Sequence, residues 1–290
     1  MSSVALYCEG NEKYGFGHIR RSLSLFHYLK EQDISCTIRT ISLTGKYYLP
    51  IQENNDEKNI KLVVLDLPFD ASEEVTKHKE LGRKVICLDC ISNVAPDFSL
   101  FIFLHANQSI MGAHDIGYKN VIIRKEFFSL ILKKPAKALN VLVCLGGADI
   151  NNQSREVCEI LLKKGFHVKL IIGPLARELP MLKHDNLDVY RSPKNFHELM
   201  NQANWCVVNG GGILFESLFL EKLTFVIPQT EAEEAIASDL FEKQYIVNFG
   251  LKKLYNFAFE DKLNINQRSK LIDGLGLKHI SRKISELIDE

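Results

Sequence analysis

Val4-Ala-Leu-Tyr-Cys8 leads through Gly15-Phe-Gly-His-Ile-Arg-Arg21 into apolar residues at helical spacing from Ile19 to Lys30. A short run that is apolar on both faces reads as a buried parallel strand, and the amphipathic stretch after it as the crossover such a strand requires. The rhythm repeats outward from there, with apolar runs at Cys36 to Ile41, Lys61 to Leu67, Lys84 to Cys90 and Leu100 to His105. The first half is therefore expected to be a doubly wound α/β unit.

At Lys133-Lys-Pro-Ala-Lys137 a basic, proline-containing stretch interrupts the pattern, and the linker is placed there. Strands are then expected at Leu139 to Leu145, His167 to Ile172, Leu187 to Tyr190, Trp205 to Val208 and Thr224 to Ile227. Helices are expected at Ser154 to Lys164, Phe196 to Ala203, Gly212 to Leu220 and Glu231 to Lys243, and Leu277 to Ile288 reads as an amphipathic C-terminal helix. The expected division is 1–134, 138–275 and a terminal helix at 276–290, with a ligand in the cleft between the two α/β halves.

Composition narrows the classes. The chain has 290 residues, 46% of them hydrophobic and 25% charged, which suits two ordinary globular domains and excludes disorder or a disulfide scaffold. Thirty-six basic residues balance 36 acidic ones, so no summed positive field draws the chain to nucleic acid or anionic membrane. No basic flank opens the sequence, no apolar run approaches the roughly 18 residues of a membrane span, and seven cysteines lie in strand-like runs as small core hydrophobes. A cytoplasmic protein with reduced thiols is the expectation.

Three glycine turns carry the chemistry. In the first, Gly15 and Gly17 bring backbone N–H groups close to a ligand, but Arg20 stands where a dinucleotide fingerprint needs its third glycine. What remains is His18 at a strand end, beside a helix N-terminus whose dipole favours a neutral ring able to act as a base. The second turn is Cys144-Leu-Gly-Gly-Ala-Asp-Ile-Asn-Asn152, where Asp149 to Asn152 also read as a helix cap. The third is Asn209-Gly-Gly-Gly-Ile-Leu-Phe-Glu216, whose N–H groups suit an anion and whose Glu216 suits ribose hydroxyls or, more simply, a first-turn dipole partner. Together the last two suggest a nucleotide diphosphate site in the second half, facing the histidine of the first. Other candidates are weaker: Cys87-Leu-Asp-Cys90 lies in an expected strand that would send its thiols to opposite faces, and His105, His114 and His197 lack metal-ligand spacing.

These turns, with Tyr118-Lys-Asn-Val-Ile-Ile-Arg124-Lys-Glu-Phe127 and Lys194-Asn-Phe196 before Met200, resemble the nucleotide-sugar hydrolases of pseudaminic acid biosynthesis and the related spore-coat polysaccharide proteins, over nearly the whole chain. That family is in turn similar to the GlcNAc transferase of peptidoglycan synthesis. The resemblance implies a GT-B fold, an α/β architecture of two Rossmann-like domains facing a central cleft. It implies water attacking the anomeric carbon of a UDP-sugar without metal or cofactor, with His18 as the base. Gly210, Gly211 and Gly212 would hold the diphosphate, Glu216 the ribose, and the turn at Asn195 and Phe196 the uracil. The remaining matched positions expected to line the substrate are Gly15, Gly17, Arg20, Arg21, Gly147 and Asp149.

The departures fall on the sugar side. Family members carry a Thr where Ile213 stands, a Tyr where Pro68 stands, and an Asn-Gln pair where this chain reads Pro228-Gln-Thr-Glu-Ala-Glu-Glu234. A changed sugar preference is expected, with Glu231, Glu233 and Glu234 either near the sugar or all turned to solvent from a first helical turn. A glycosyltransferase using the same base on an acceptor hydroxyl, and a non-catalytic UDP-sugar-binding protein, are the competing readings.

Overall fold

The computed structural model describes residues 3–11, 13–42, 49, 59–104, 108–130, 140–176, 183–259 and 270–290. The chain divides into two compact units, 1–123 with 273–290, and 124–272. The division falls between Ile123 and Arg124, ahead of the expected linker, which lies outside the described residues together with His105.

In the first unit, β1 (Ser3–Cys8), β2 (Cys36–Thr40), β3 (Ile60–Asp66), β4 (Lys84–Leu88), β5 (Phe98–Phe101) and β6 (His114–Ile116) form a six-stranded parallel sheet in the order β2-β1-β3-β4-β5-β6. Helices cover the faces of such a sheet, which is why Val4, Leu6, Leu62 and Val64 on one face and Ala5, Val63, Leu65 and Val85 on the other are all buried. Helix α1 (Gly17–Glu31) follows β1, burying Ile19, Leu25, Phe26 and Leu29. Helix α2 (Ser72–Glu80) buries Val75 and His78, and with a single aliphatic residue it has no apolar period by which sequence could reveal it.

The second unit repeats the plan. Strands β7 (Asn140–Cys144), β8 (His167–Ile172), β9 (Leu187–Arg191), β10 (Trp205–Val208), β11 (Leu223–Val226) and β12 (Asn248–Phe249) form a parallel sheet in the order β12-β11-β10-β7-β8-β9. Its helices are α3 (Ser154–Lys163), α4 (Phe196–Gln202), α5 (Gly212–Phe219), α6 (Glu231–Glu242) and α7 (Leu251–Tyr255). One face is closed by edge-to-face aromatics, Trp205 against Phe259 at 4.7 Å and Phe225 against Phe257 at 5.2 Å.

Helix α8 (Gly276–Asp289) does not stand apart as a terminal appendage. It packs in the first unit against α1 and β3, burying Ile280, Ile284 and Leu287. A Cβ on Gly276 would lie 2.0 Å from the Val121 carbonyl oxygen, so only glycine allows the helix to start so close to the chain that leaves the sheet.

The expected strand through Cys90 ends instead at Leu88. Asp89 adopts a left-handed φ of 54°, which folds the chain back and buries Cys87 and Cys90 in one cluster, where their side chains meet, instead of on opposite faces. The Cys90 Sγ donates to the Leu65 carbonyl at 3.2 Å.

Candidate active site

Both sheets reverse their strand order at one point, between β1 and β3 in the first and between β7 and β10 in the second. Adjacent loops leave such a point in opposite directions and open a crevice at the carboxyl ends of the strands. His18 follows β1 and Asp66 ends β3, while Gly146 follows β7 and Gly210 follows β10, so the glycine turns sit at the two switch points.

In the first unit, His18, Arg21 and Ser22 share one face of α1, at helical spacing, and converge on Asp66, which is 1% exposed. Its carboxylate accepts from His18 Nδ1 at 2.6 Å, Arg21 Nε at 3.0 Å, Arg21 Nη2 at 2.5 Å and Ser22 Oγ at 2.9 Å. Arg21 Nη1 continues to Asp89 Oδ2 at 2.9 Å, and Asp89 is itself braced by the Ile102 N–H. Burial alone would raise the Asp66 carboxyl, but the Arg21 charge, then His18 and their hydrogen bonds outweigh it and hold it at about 2. An ionised carboxylate only accepts, so the ring nitrogen 2.6 Å away carries its proton on Nδ1. The Arg21 Nη2, 3.2 Å from that nitrogen, is a neighbour through the shared oxygen, since both groups donate. In the neutral ring this tautomer puts the lone pair on Nε2, and the side chain is 22% exposed.

Gly15, at φ 71°, closes the turn before α1 through its N–H to the Asn11 carbonyl at 2.7 Å. Gly17 is exposed, opens the helix and has no heavy atom near where a Cβ would stand. No side chain caps α1 and no acid occupies its first turn, so nothing anionic on that helix competes for its N-terminus. Arg20 points away from this cluster on the exposed face, whereas Arg21, expected on the substrate, has its donors committed to two carboxylates. Asp66 and Asp89 were not singled out in the sequence, being isolated acids at strand ends.

In the second unit the side chain of Asn209 lies against both glycine turns. A Cβ on Gly146 would be 3.3 Å from its Nδ2, and one on Gly211 3.0 Å. Gly146 itself sits at φ 87°, and the Gly147 carbonyl accepts from the Leu175 N–H at 2.9 Å. Beneath the triple glycine is Glu233, which accepts from Asn209 Nδ2 at 2.6 Å, the Gly210 N–H at 3.0 Å and the Gln229 N–H at 2.8 Å. Gly210 has no room for a side chain, its Cβ position being 2.6 Å from that of Glu233. Helix α5 begins at Gly212 with neither a side-chain cap nor an acid in its first turn.

Glu216 is on the second turn of α5, not the first, and is 5% exposed. It meets Arg124 in a two-point pair, Nε to Oε1 at 2.5 Å and Nη2 to Oε2 at 2.7 Å. The dipole reading of Glu216 therefore gives way to an ion pair with an arginine 92 residues away. The guanidinium lies 5.1 Å from the Phe127 ring centre and 5.3 Å from that of Phe196, which is buried, while Asn195 is exposed at the start of α4. Asp149, at φ 45° and 5% exposed, caps α3 by accepting from the N–H groups of Gln153 and Ser154, each at 3.0 Å. Of the three acids after β11, Glu231 and Glu234 are exposed and Glu233 alone turns in, so the group behaves neither as a sugar-facing set nor as a solvated one.

Two parallel six-stranded sheets, each with a glycine turn at its switch point, make this the GT-B fold. Among solved structures, Acinetobacter baumannii MurG matches 99% of the chain and all of its own at a TM-score of 0.61 and 13% identity. The Methanocaldococcus jannaschii UDP-GlcNAc 2-epimerase, solved with UDP-GlcNAc and UDP, matches 98% of the chain and 99% of its own at 0.58 and 11%.

Curated sequences are similar too. An uncharacterised protein of M. jannaschii, MJ1062, is 27% identical over 287 aligned residues, covering 83% of this chain, which spans only 58% of that relative's length. The UDP-2,4-diacetamido-2,4,6-trideoxy-beta-L-altropyranose hydrolase of Campylobacter jejuni is 23% identical over 276, covering 85% of this chain and 98% of its own length. No protein-family model matches the chain.

Proposed function

We propose that the chain acts on a UDP-sugar and cleaves its anomeric C–O bond with water, as the name of the Campylobacter relative describes for that protein. The observation that carries this reading is the 2.6 Å bond from His18 Nδ1 to an ionised, buried Asp66, which orients the ring and leaves Nε2 as a base at a switch point. In the reaction Nε2 takes a proton from water as the water oxygen bonds to the anomeric carbon. The bond from that carbon to the β-phosphate oxygen breaks, its electron pair leaving with UDP. Asp66 stabilises the imidazolium formed. The uncapped start of α5 at Gly212 offers N–H groups and the positive end of a helix dipole to the departing diphosphate. Glu216, held in place by Arg124, keeps lone pairs on both oxygens for ribose hydroxyls, and the ring of Phe196 flanks the Arg124 guanidinium.

A second reading, transfer to an acceptor hydroxyl, is favoured by one feature. Tyr14 and Phe69, in the loops next to His18 and Asp66, form an aromatic pair 6.1 Å apart with Phe69 38% exposed, an apolar surface of the kind an acceptor would use. UDP release from a panel of UDP-sugars, with and without candidate acceptors, decides between them. Release in water alone supports hydrolysis, acceptor-dependent release supports transfer, and no release from any member refutes both.

A further inference from the structure

We propose that Glu233 is a positioning residue, one that ties the triple-glycine turn to the start of α6 and takes up a proton when a nucleotide diphosphate occupies that turn. The proposal rests on the diphosphate reading of Gly210 to Gly212 given above.

The local sequence first explains why the side chain is where it is. Thr230-Glu-Ala-Glu233 is a capping pattern, and the Thr230 hydroxyl accepts from the Glu233 N–H at 3.2 Å as such a pattern requires. The carboxylate of a capping box normally returns to the N–H of its own N-cap. Here it reaches past that group to the N–H of Gln229 and across to the N–H of Gly210, joining two loops that are not adjacent in sequence. Through Asn209, which it holds at 2.6 Å, it also fixes the amide lying against Gly146 and Gly211. Both glycine turns are thus referred to one carboxylate.

Its partners are all neutral. Asp66 and Glu216 each bind an arginine, but the groups facing Glu233 from the turn after β10 and the loop after β11 are amides and backbone N–H donors. On its own helix Glu231 and Glu234 are exposed, and among the described residues no charged side chain bonds to it or forms an ion pair with it. Burial therefore raises its pKa, and the hydrogen bonds only partly oppose that. The Gly210 N–H is already taken by Glu233, so an anion would sit on the N–H groups of Gly211 and Gly212, and its like charge beside this carboxylate favours protonation. The protonated acid retains Oε2 as acceptor for the two backbone N–H groups. It gains an O–H at Oε1, where Asn209, by turning over its amide, can present Oδ1, an atom that is buried and has no partner in the ionised arrangement.

Calorimetric titration of UDP into the parent chain, Glu233→Gln and Glu233→Ala, between about pH 5 and 8 and in buffers of different ionisation enthalpy, tests this. The difference between parent and Glu233→Gln cancels protons exchanged by UDP itself. The parent should take up more protons than Glu233→Gln, and its affinity should fall roughly tenfold more toward alkaline pH, the equivalent of one unit of pKa displacement on binding. Glu233→Ala, which orphans the N–H groups of Gly210 and Gln229, should bind more weakly at every pH, with Gln restoring binding. Equal proton uptake and equal pH profiles in parent and Gln variant overturn the proposal and leave the nucleotide reading standing. Absence of UDP binding by the parent overturns both. If the Gln variant does not fold, the amide resonances of Gly210 and Gln229 in the parent serve instead, with a titration midpoint that rises on adding UDP expected and an unmoved midpoint refuting.

Discussion

Replacing Asp66 by Asn removes one charge at the centre of the His18–Arg21 cluster while keeping its shape. A carboxyl drawn from 3.8 to about 2 by folding favours the ionised native state by about 2 kcal/mol at neutral pH, and the group is buried enough that solvent screening takes little of it. The sign follows from the direction of the shift. A depressed carboxyl stabilises above its unfolded pKa, and that stabilisation is lost as pH falls from near 3.8 through about 2. Denaturant unfolding at pH 7 should therefore show Asp66→Asn less stable by about 2 kcal/mol or more, with the gap to the parent narrowing toward about pH 2 to 3. Activity should fall further than stability. Asn offers a single acceptor oxygen where His18, Arg21 and Ser22 all donate, and it carries no charge to stabilise the imidazolium, so turnover should drop by roughly three to four orders of magnitude at unchanged UDP affinity. A stability gap that does not change with pH, or turnover within a few-fold of the parent, would refute the reasoning.

Further outcomes follow from the same geometry. His18→Asn should lower turnover by about 100-fold or more with UDP binding by calorimetry intact; full activity removes His18 from the mechanism. Glu216→Ala should weaken UDP binding by roughly 1 to 3 kcal/mol and, by leaving the half-buried Arg124 with only the longer pair to Glu126 at 3.6 Å, also lower stability by about 3 kcal/mol, whereas the double variant with Arg124→Ala should recover part of that stability. Gly210→Ala should destabilise by about 1 to 3 kcal/mol because its Cβ meets Glu233, while Gly212→Ala, with open space at that position, should leave the melting temperature unchanged or raised.

Much of the fold is legible because buried parallel strands write themselves as unbroken apolar runs. His167–Ile172 and Trp205–Val208 begin and end where the pattern places them. What sequence hides is non-local. The strand orders that put His18 and Gly210 at switch points depend on pairings between distant segments, as does the Arg124–Glu216 pair. The return of α8 to the first unit depends on where its apolar stripe finds a partner, and the stripe alone does not say. Two clues lay in plain view. Arg21 and Ser22 follow His18 at the spacing that places all three on one helix face, which foretells a shared acceptor, and Thr230 to Glu233 is a capping pattern whose acid had reason to turn inward. Asp89 carried no such signal, since its left-handed backbone breaks what otherwise reads as strand through Cys90.

The most direct test of UDP-sugar cleavage by water is to incubate the chain with UDP-sugars in water labelled with heavy oxygen and to weigh both products by mass spectrometry. Attack at the anomeric carbon, assisted by His18, predicts the label in the hydroxyl of the released sugar and none in UDP. Label in the phosphate of UDP, or no UDP released unless an acceptor is supplied, would contradict it.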